Sequence, residues 1–244
     1  SIAKDVLSES LRPILTNLTD FKKLTEPLLD GVAKLLLLLN RSFTSTLGEK
    51  LLEHYANMAQ QDITTRGPHR EDTKILVALL EIFHLCPQMK AVPKLIPAVL
   101  AHEQHLNISL KPSPHVIFPK EHSSPYRPPL AKCMNRYAQE SIRYILDLQR
   151  FKIHENANLF RFIVRSEYAS DLRQELAREP QEFLQATLSN ECIAANQFEV
   201  MYFGLQVMKS VLTLNPNPQH AHGADIIRNS LLNLWNHPHR VFWL

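Results

Sequence analysis

Histidine and cysteine are the residues of this sequence best suited to bind a metal ion, and in three places two of them stand two positions apart. These pairs are His84 with Cys86, His220 with His222, and His237 with His239. Structural zinc usually needs four ligands at closed spacing, and none of the pairs has a second pair nearby. The pattern predicts histidines that cap helices or lie at the surface. We expect no metal and no other cofactor.

Nucleophilic catalysis would need a cysteine or serine on a strained turn, with histidine and carboxylate partners. Cys86, Cys133 and Cys192 lie far apart, and no serine stands in an elbow motif. Three widely spaced cysteines are typical of buried, reduced thiols in an intracellular protein. The sequence also contains no DFG motif, no glycine-rich phosphate loop and no nucleotide fingerprint. We therefore expect a chain without catalytic activity.

The carboxylates at the start of the chain show helical spacing rather than the arrangement of an acid–base pair. They are Glu26, Asp30, Glu49 and Glu53. Residues three or four positions apart on a helix face each other, and lysines stand at such distances from Glu26, Asp30 and Glu53. The spacing predicts solvated helix faces with local ion pairs.

Basic residues suggest a binding surface. Lys22 and Lys23 stand at a predicted helix junction, and Arg66 and Arg70 belong to the sequence RGPHR at a predicted loop tip. Equivalent turns of stacked helix pairs lie along one edge, where these four side chains would form a positive rim. Such a rim would attract acidic, hydrophobic activation domains at long range. Ordinary solvated turns explain the same residues, because most surface charges contribute little to binding or stability.

The composition indicates an all-α fold. The 244 residues include only five glycines, whereas average usage would give roughly 17, and sheets need glycine in their tight turns. The net charge of +3 gives no strong field for nucleic acid or membrane surfaces. Apolar runs such as Leu35 to Leu39 are far too short to span a bilayer. No N-terminal signal pattern is present.

Apolar residues recur at helical spacing along most of the chain and predict eleven helices. They lie near residues 2–18, 25–39, 46–60, 71–85, 92–105, 130–151, 158–165, 170–178, 181–188, 197–214 and 224–236. Leu37 and Leu38 extend the apolar stripe of the second helix, so we expect that helix end to be buried on more than one side. Pro93 and Pro97 predict an irregular start to the fifth helix.

The helices divide into two blocks around a proline-rich segment. The predicted blocks are residues 1–106 and 130–244, and the segment between them, 107–129, reads as an insertion or long loop. No helix could bury its stripe alone. Stacked antiparallel pairs of a HEAT/armadillo-like α-solenoid would bury the stripes, and so would a compact helical bundle. In either arrangement Tyr126 and Leu130 are expected to close a gap between helices.

Five stretches carry a family resemblance in a fixed order. They are LRPILTNLTD at 11–20, PLLDGVAKLLLLLNRSFTSTLGEKLLEHY at 27–55, IFHLCP at 82–87, SPYRPPL at 124–130 and DLRQELAREPQEFL at 171–184. Together they resemble the HEAT region of the TRRAP family, which are giant non-catalytic relatives of the phosphatidylinositol-3-kinase-like kinases. Residues 107–123 match no part of this pattern, and the last part of the chain matches it more loosely.

The resemblance implies a fragment of a nuclear scaffold. The family's solenoid receives transcriptional activators and brings histone acetyltransferase assemblies of the SAGA type to chromatin, and its kinase-like domain is inactive and outside this sequence. The implied partners are other subunits of such a complex, activators, and adjacent repeats of the parent chain, with no direct nucleic-acid contact and no membrane. Two alternatives are the helical arm of an active kinase of the same superfamily and a transport receptor of the importin type. The second would predict an acidic inner surface, whereas this chain is mildly basic.

Overall fold

The structure, a computed structural model, describes residues 17–18, 20–39, 45–65, 70–86, 92–109, 124–214 and 221–235. Within these ranges the chain forms helices and turns and no β-strand, so the all-α prediction is confirmed for this part of the protein. Short 3₁₀ segments cover Phe21–Lys23 and Asp147–Lys152. The α-helices are α1 (Glu26–Leu39), α2 (Ser45–Thr65), α3 (Arg70–Phe83), α4 (Val92–Ser109), α5 (Arg127–Arg136), α6 (Ala138–Leu146), α7 (His154–Arg165), α8 (Ser170–Arg178), α9 (Gln181–Leu188), α10 (Asn190–Ala194), α11 (Phe198–Leu214) and α12 (Ala221–Trp235).

The chain divides into two compact units, Ser1–Cys133 and Met134–Leu244. In the first unit α1 packs along α3, and α2 packs along both α3 and α4. Contact between helices that are two apart in sequence is what stacked helix pairs produce. Their stripes supply the core, which includes Leu29, Val32, Leu36, Leu51, Leu52, Tyr55, Leu76, Leu79, Phe83, Leu95 and Val99.

In the second unit α11 is the central helix, in contact with α7, α8, α9 and α10. Its Phe203 lies between three other phenylalanine rings, with centroid distances of 5.9 Å to Phe151, 6.2 Å to Phe160 and 5.8 Å to Phe183. Aromatic rings at such distances add to the burial of apolar surface. This cluster therefore holds α7, α9 and the segment Asp147–Lys152 around α11.

Most helices begin and end within a few residues of their predicted bounds, and the exceptions have local causes. The helix predicted for 130–151 is two helices, broken at Tyr137, where the buried Ser141 hydroxyl donates to the carbonyl of Met134 at 3.0 Å. A side chain inserted in this way replaces a backbone bond and interrupts the helical ladder. The short α10 was not predicted, and α2 continues to Thr65, five residues past its predicted end at residue 60.

Two other expectations about helices are wrong. The start of α4 is regular, because Pro93 lies in the first turn, where no N–H is needed, and Pro97 is exposed so that water can reach the freed carbonyl. Leu37 and Leu38 are 67% and 79% exposed, so the end of α1 is buried on one side only. The first predicted helix lies outside the described residues except for its end, where Asn17 and Leu18 are helical. The predicted boundaries at 106 and 129 remain a prediction.

The second unit contains a close approach between α12 and α8. A Cβ added at Gly223 would lie 1.6 Å from the carbonyl oxygen of Ala177, a distance that no packing tolerates. At Gly31, in the middle of α1, nothing lies within 4 Å of the same added atom. Of these two positions, only position 223 requires glycine for packing.

We expect Gly223→Ala to destabilise the protein by about 2–3 kcal/mol, since α12 must move away from α8. Gly31→Ala is the matched control and should stabilise it by about 0.5–1 kcal/mol, because alanine favours a helix interior. Urea unfolding followed by circular dichroism measures both. Equal effects of the two substitutions would contradict the close approach.

Candidate functional site

The predicted positive rim is described in part. Lys22 and Lys23 are exposed in the segment Phe21–Lys23, where the backbone N–H of Lys22 donates to the Asp20 carboxylate at 3.1 Å. Arg66 lies outside the described residues, and Arg70 is the first residue of α3, its side chain not among those described. The rim as a binding surface therefore stays a prediction.

The starts of α1 and α3 lie close to each other. Glu26, the first residue of α1, is 3.9 Å from Lys74 of α3, and both side chains are more than half exposed. The first turns of α1 and α3 thus lie at the same edge of the first unit. The edge also carries Asp20 and Glu26, so its charge is mixed and its field correspondingly weak.

The stretch SPYRPPL attaches the start of α5 to α4. The Arg127 guanidinium binds both carboxylate oxygens of Glu103, at 2.8 and 3.0 Å, and the side chains are 26% and 8% exposed. The ring of Tyr126 stacks on His102, with 5.5 Å between centroids. Tyr126 and Leu130 are buried, which confirms the packing role expected of them. Pro128 and Pro129 lie in the first turn of α5, where proline is well tolerated.

A buried phenol lies next to this ion pair. Tyr55 is fully buried, with its ring edge against Phe83 and His102. Its hydroxyl has no hydrogen-bond partner within the described ranges. Burial, with smaller contributions from Tyr126 and the negative charge of Glu103, raises the pKa of Tyr55 well above its usual value. The phenol therefore remains protonated and serves packing rather than acid–base chemistry.

We expect Arg127→Ala to lower the free energy of unfolding by about 2–4 kcal/mol, because it leaves the Glu103 carboxylate buried without a counter-charge. The double variant Glu103→Gln/Arg127→Gln should recover part of that loss. Lys34→Ala is the control: it breaks the exposed ion pair with Asp30 (2.6 Å) and should cost no more than about 0.5 kcal/mol. A single variant no worse than the control would contradict a buried ion pair.

The stretch DLRQELAREPQEFL forms α8 and α9, and its polar residues bind neighbouring helices. Asn135 of α5 accepts hydrogen bonds from the backbone N–H groups of Asp171 (2.7 Å) and Leu172 (3.0 Å). Those are the groups that an N-cap side chain normally satisfies. The cap position of α8 is Ala169, which has no polar side chain. Asn135 therefore supplies the cap from another helix.

Two other polar residues of α8 bind outside their own helix. The Arg173 guanidinium, buried except for 6% of its surface, donates to the carbonyls of Val164 (2.9 Å) and Ser166 (2.7 Å), where α7 ends. Burial lowers the pKa of Arg173. Glu175 accepts from Gln139 of α6 at 2.9 Å and from Arg178 at 2.5 Å. Arg173 and Glu175 of the stretch DLRQELAREPQEFL thus form hydrogen bonds within the second unit.

We expect Asn135→Ala to destabilise the protein by about 1–2 kcal/mol, since two N–H groups at the start of α8 lose their acceptor. In thermal unfolding this corresponds to a decrease of about 2–4 °C per kcal/mol for a chain of this size. Asn229→Ala, at an exposed position of α12, should change stability by less than about 0.5 kcal/mol. Equal melting temperatures for the two variants would rule out the capping role.

A cleft of about 510 Å³ opens between α6 and α8 in the second unit. One wall is formed by residues 135–140 and Arg143, and the other by α8. The hydrogen bonds Asn135–Asp171 and Gln139–Glu175 join the walls. The predictions from sequence did not include this cleft, because the residues that join its walls are 36 positions apart.

The residues considered for metal binding and catalysis are placed as follows. All three cysteines are buried, as predicted, and burial raises the pKa of the Cys86 thiol to about 12. His220, His237 and His239 lie outside the described residues, as does the side chain of His222. Within the described ranges no group of three or more histidine, cysteine or acidic side chains is arranged to bind a metal. No helix in those ranges has the length and hydropathy needed to cross a membrane.

The expected local pairing of acids and lysines is found in α1 and α2. Lys34 binds Asp30 at 2.6 Å, and Lys50 binds Glu53 at 2.9 Å. The hydrogen bond from Lys50, followed by its positive charge, lowers the pKa of the exposed Glu53 carboxyl. These carboxylates lie on solvated helix faces, where each has a lysine partner rather than a second acid.

The packing of helices two apart and the internal role of the motif residues define a helical-repeat protein of the HEAT class. Residues 1–242 match the family described as the Tra1 HEAT repeat ring region. The chain therefore belongs to this family, and HEAT-type repeats rather than a compact bundle account for its helices. The matching segment is a helical-repeat region, which is non-catalytic.

Individual relatives agree with this assignment. The chain is 32% identical over 193 residues to "Probable transcription-associated protein 1" of Dictyostelium discoideum, a match that covers 77% of this chain and 4% of the relative. It is 30% identical over 213 residues to "SAGA complex/NuA4 acetyltransferase complex subunit TRA1" of Saccharomyces cerevisiae, with 83% and 5% covered. The human "Transformation/transcription domain-associated protein" is 23% identical over 208 residues, with 75% and 5% covered. The chain thus spans only about a twentieth of the length of these relatives.

Proposed function

We propose that this chain is a non-catalytic scaffold segment of a transcription coactivator subunit, which docks activators and histone acetyltransferase modules. The observation that carries the proposal is the match of residues 1–242 to a HEAT ring family. The relative from budding yeast is named as a subunit of the SAGA and NuA4 acetyltransferase complexes. By this proposal the parent protein acts in the nucleus and its kinase-like domain is inactive.

The chemistry of the described residues supports a scaffold. Polar side chains of the motif stretches bond within the fold: Arg127 pairs with Glu103, and Arg173 donates to a carbonyl at the end of α7. Burial of Cys86 keeps its thiol protonated and unreactive. Stacked helices within each unit offer what a docking platform needs, which is a large exposed surface.

The proposal is tested by purifying the endogenous parent protein from nuclei with an antibody raised against this chain. Acetyltransferase subunits should co-purify, and the sample should acetylate histones. The same sample should show no kinase activity above that of a mock purification. Recovery of the parent protein without acetyltransferase activity would contradict the scaffold function, and protein kinase activity retained by the isolated parent protein would favour an active kinase of the same superfamily.

We propose that the positive rim formed by Lys22, Lys23, Arg66 and Arg70 accelerates the encounter with acidic activators. Reversal of all four charges to glutamate should slow the association of an aspartate-rich peptide severalfold at low salt, with little change at high salt. Arg165→Glu/Lys209→Glu, at exposed positions of the second unit, is the control. Stopped-flow fluorescence measures the rate. An unchanged association rate in the fourfold variant would dispose of the rim.

A further inference from the structure

Two successive residues in the turn between α6 and α7, residues 147–153, have a left-handed backbone. Leu148 has φ 50° and ψ 22°, and Gln149 has φ 52° and ψ 43°. Among the non-glycine residues that the structure describes, only Asn196 shares a positive φ with them. Asparagine tolerates this conformation, whereas in leucine and glutamine the Cβ atom lies too close to the following carbonyl oxygen. The turn therefore stores backbone strain at two positions in a row.

Burial of the Leu148 side chain does not offset this strain. It is 83% exposed, more than any other large apolar side chain in the described ranges, and Ile153 at the end of the turn is 53% exposed. A surface leucine alone is ordinary. A leucine that is both strained and exposed is not, because glycine or asparagine would adopt the same backbone without strain and without loss of packing.

The residues on both sides of Leu148 are fixed to the protein. The Arg150 guanidinium donates to the Asp147 carboxylate at 2.7 Å and to the carbonyl of Tyr144 at 3.1 Å, and its Cζ atom lies 4.3 Å from the centroid of the Tyr144 ring. Phe151 is buried in the phenylalanine cluster around α11. The turn thus presents Leu148 in one geometry, so that little conformational entropy is lost when a partner binds it.

The position of the turn restricts which molecule can cover Leu148. Successive helical repeats pack through the sides of their helices, and the turns lie along the edges of the stack. Further repeats stacked on this unit would therefore not cover a residue of the turn. Loops on one face of a repeat protein often form its binding face. An occupant of this position is thus expected to be another protein.

The charges of the turn do not favour either sign in a partner. Asp147 and Arg150 pair with each other, and the exposed Lys152 and Glu155 have opposite charges. The turn therefore lacks the excess of positive charge that an acidic segment would need, and it differs in this respect from the positive rim. Its exposed apolar side chains are left to determine what it binds.

We propose that Leu148 anchors another subunit of the coactivator complex by inserting into an apolar pocket of that subunit, with Ile153 at the border of the contact. The inference rests on the proposed scaffold function and assigns it a docking point. Transfer of a leucine side chain from water into an apolar pocket is favourable in proportion to the area buried. A residue that lowers stability in the free protein can serve binding in this way.

The first test replaces Leu148 of the parent protein with the photoreactive amino acid p-benzoylphenylalanine in cells. Cross-linked peptides are then identified by mass spectrometry after irradiation and purification from nuclei. The expected product joins position 148 to an acetyltransferase-complex subunit, and the same probe at Asn229, an exposed position of α12, should not give it. A cross-link to another part of the parent chain or to a second copy of it would overturn the proposal, as would the absence of any cross-link.

The second test compares Leu148→Asn with Gln149→Asn. The first variant removes the anchor and relieves its strain, and it should reduce the amount of the cross-linked subunit in the purified parent protein by about fivefold or more. Gln149→Asn is the matched control: it relieves strain at the neighbouring position, keeps the leucine and should retain the subunit. Equal loss of the subunit in both variants would rule out a leucine anchor.

The melting temperature of the full 244-residue chain distinguishes an anchor from a structural role. Both variants should melt about 2–4 °C above the wild type, because asparagine suits the left-handed backbone. Loss of the subunit in Leu148→Asn together with a lower melting temperature would contradict the proposal, since a damaged fold would explain the loss.

Failure of the anchor is distinguishable from failure of the scaffold function. If the wild-type parent protein and Leu148→Asn both retain every acetyltransferase subunit, the anchor alone is overturned. If the wild-type preparation contains no acetyltransferase subunit, the scaffold function fails and the anchor fails with it.

Discussion

The second unit depends on helices that cannot be stable by themselves. Its helices α6, α8 and α9 have nine, nine and eight residues, and isolated helices shorter than about 12–15 residues are marginal in water. Their ends must be satisfied by neighbours. Asn135 accepts a hydrogen bond from a backbone N–H group at the start of α8, and Arg173 donates a hydrogen bond to a backbone carbonyl at the end of α7. The start of α8 therefore depends on α5 and the end of α7 depends on α8, which makes the folding of the unit cooperative.

The charged side chains form two groups: some bond to other parts of the protein, and others are exposed to solvent. The first group includes Glu103 and Arg127, which form an ion pair with each other, and Glu175, which accepts hydrogen bonds from Gln139 and Arg178. Lys22, Lys23, Arg136 and Arg143 are exposed instead. Arg127 and Glu175 of this first group belong to stretches that carry the resemblance to the family. A surface that recognises partners is to be sought among the second group, where substitution costs little stability.

Periodicity was sufficient to predict most helices, because each buries one apolar stripe; the bounds of α8 and α9 agree with prediction to the residue. It did not reveal the break at Tyr137, since that break follows from a hydrogen bond of Ser141 that no local pattern encodes. The exposure of Leu37 and Leu38 shows that apolar character alone does not determine which neighbours a helix has. The cleft was beyond prediction for a related reason. It exists because side chains 36 positions apart meet, and sequence spacing carries no signal for such pairs.

The ion pair of Glu103 and Arg127 joins two points of the chain that are 24 positions apart. In the unfolded chain, bringing two such points together costs an entropy that grows by only about 0.6 kcal/mol for each doubling of the number of residues between them. The distance along the chain is therefore a minor part of the cost of forming this pair. The stacking of Tyr126 on His102 adds a second contact between the same two helices, so the position of α5 on α4 is set by side chains at their contact and not by the distance that separates them in sequence.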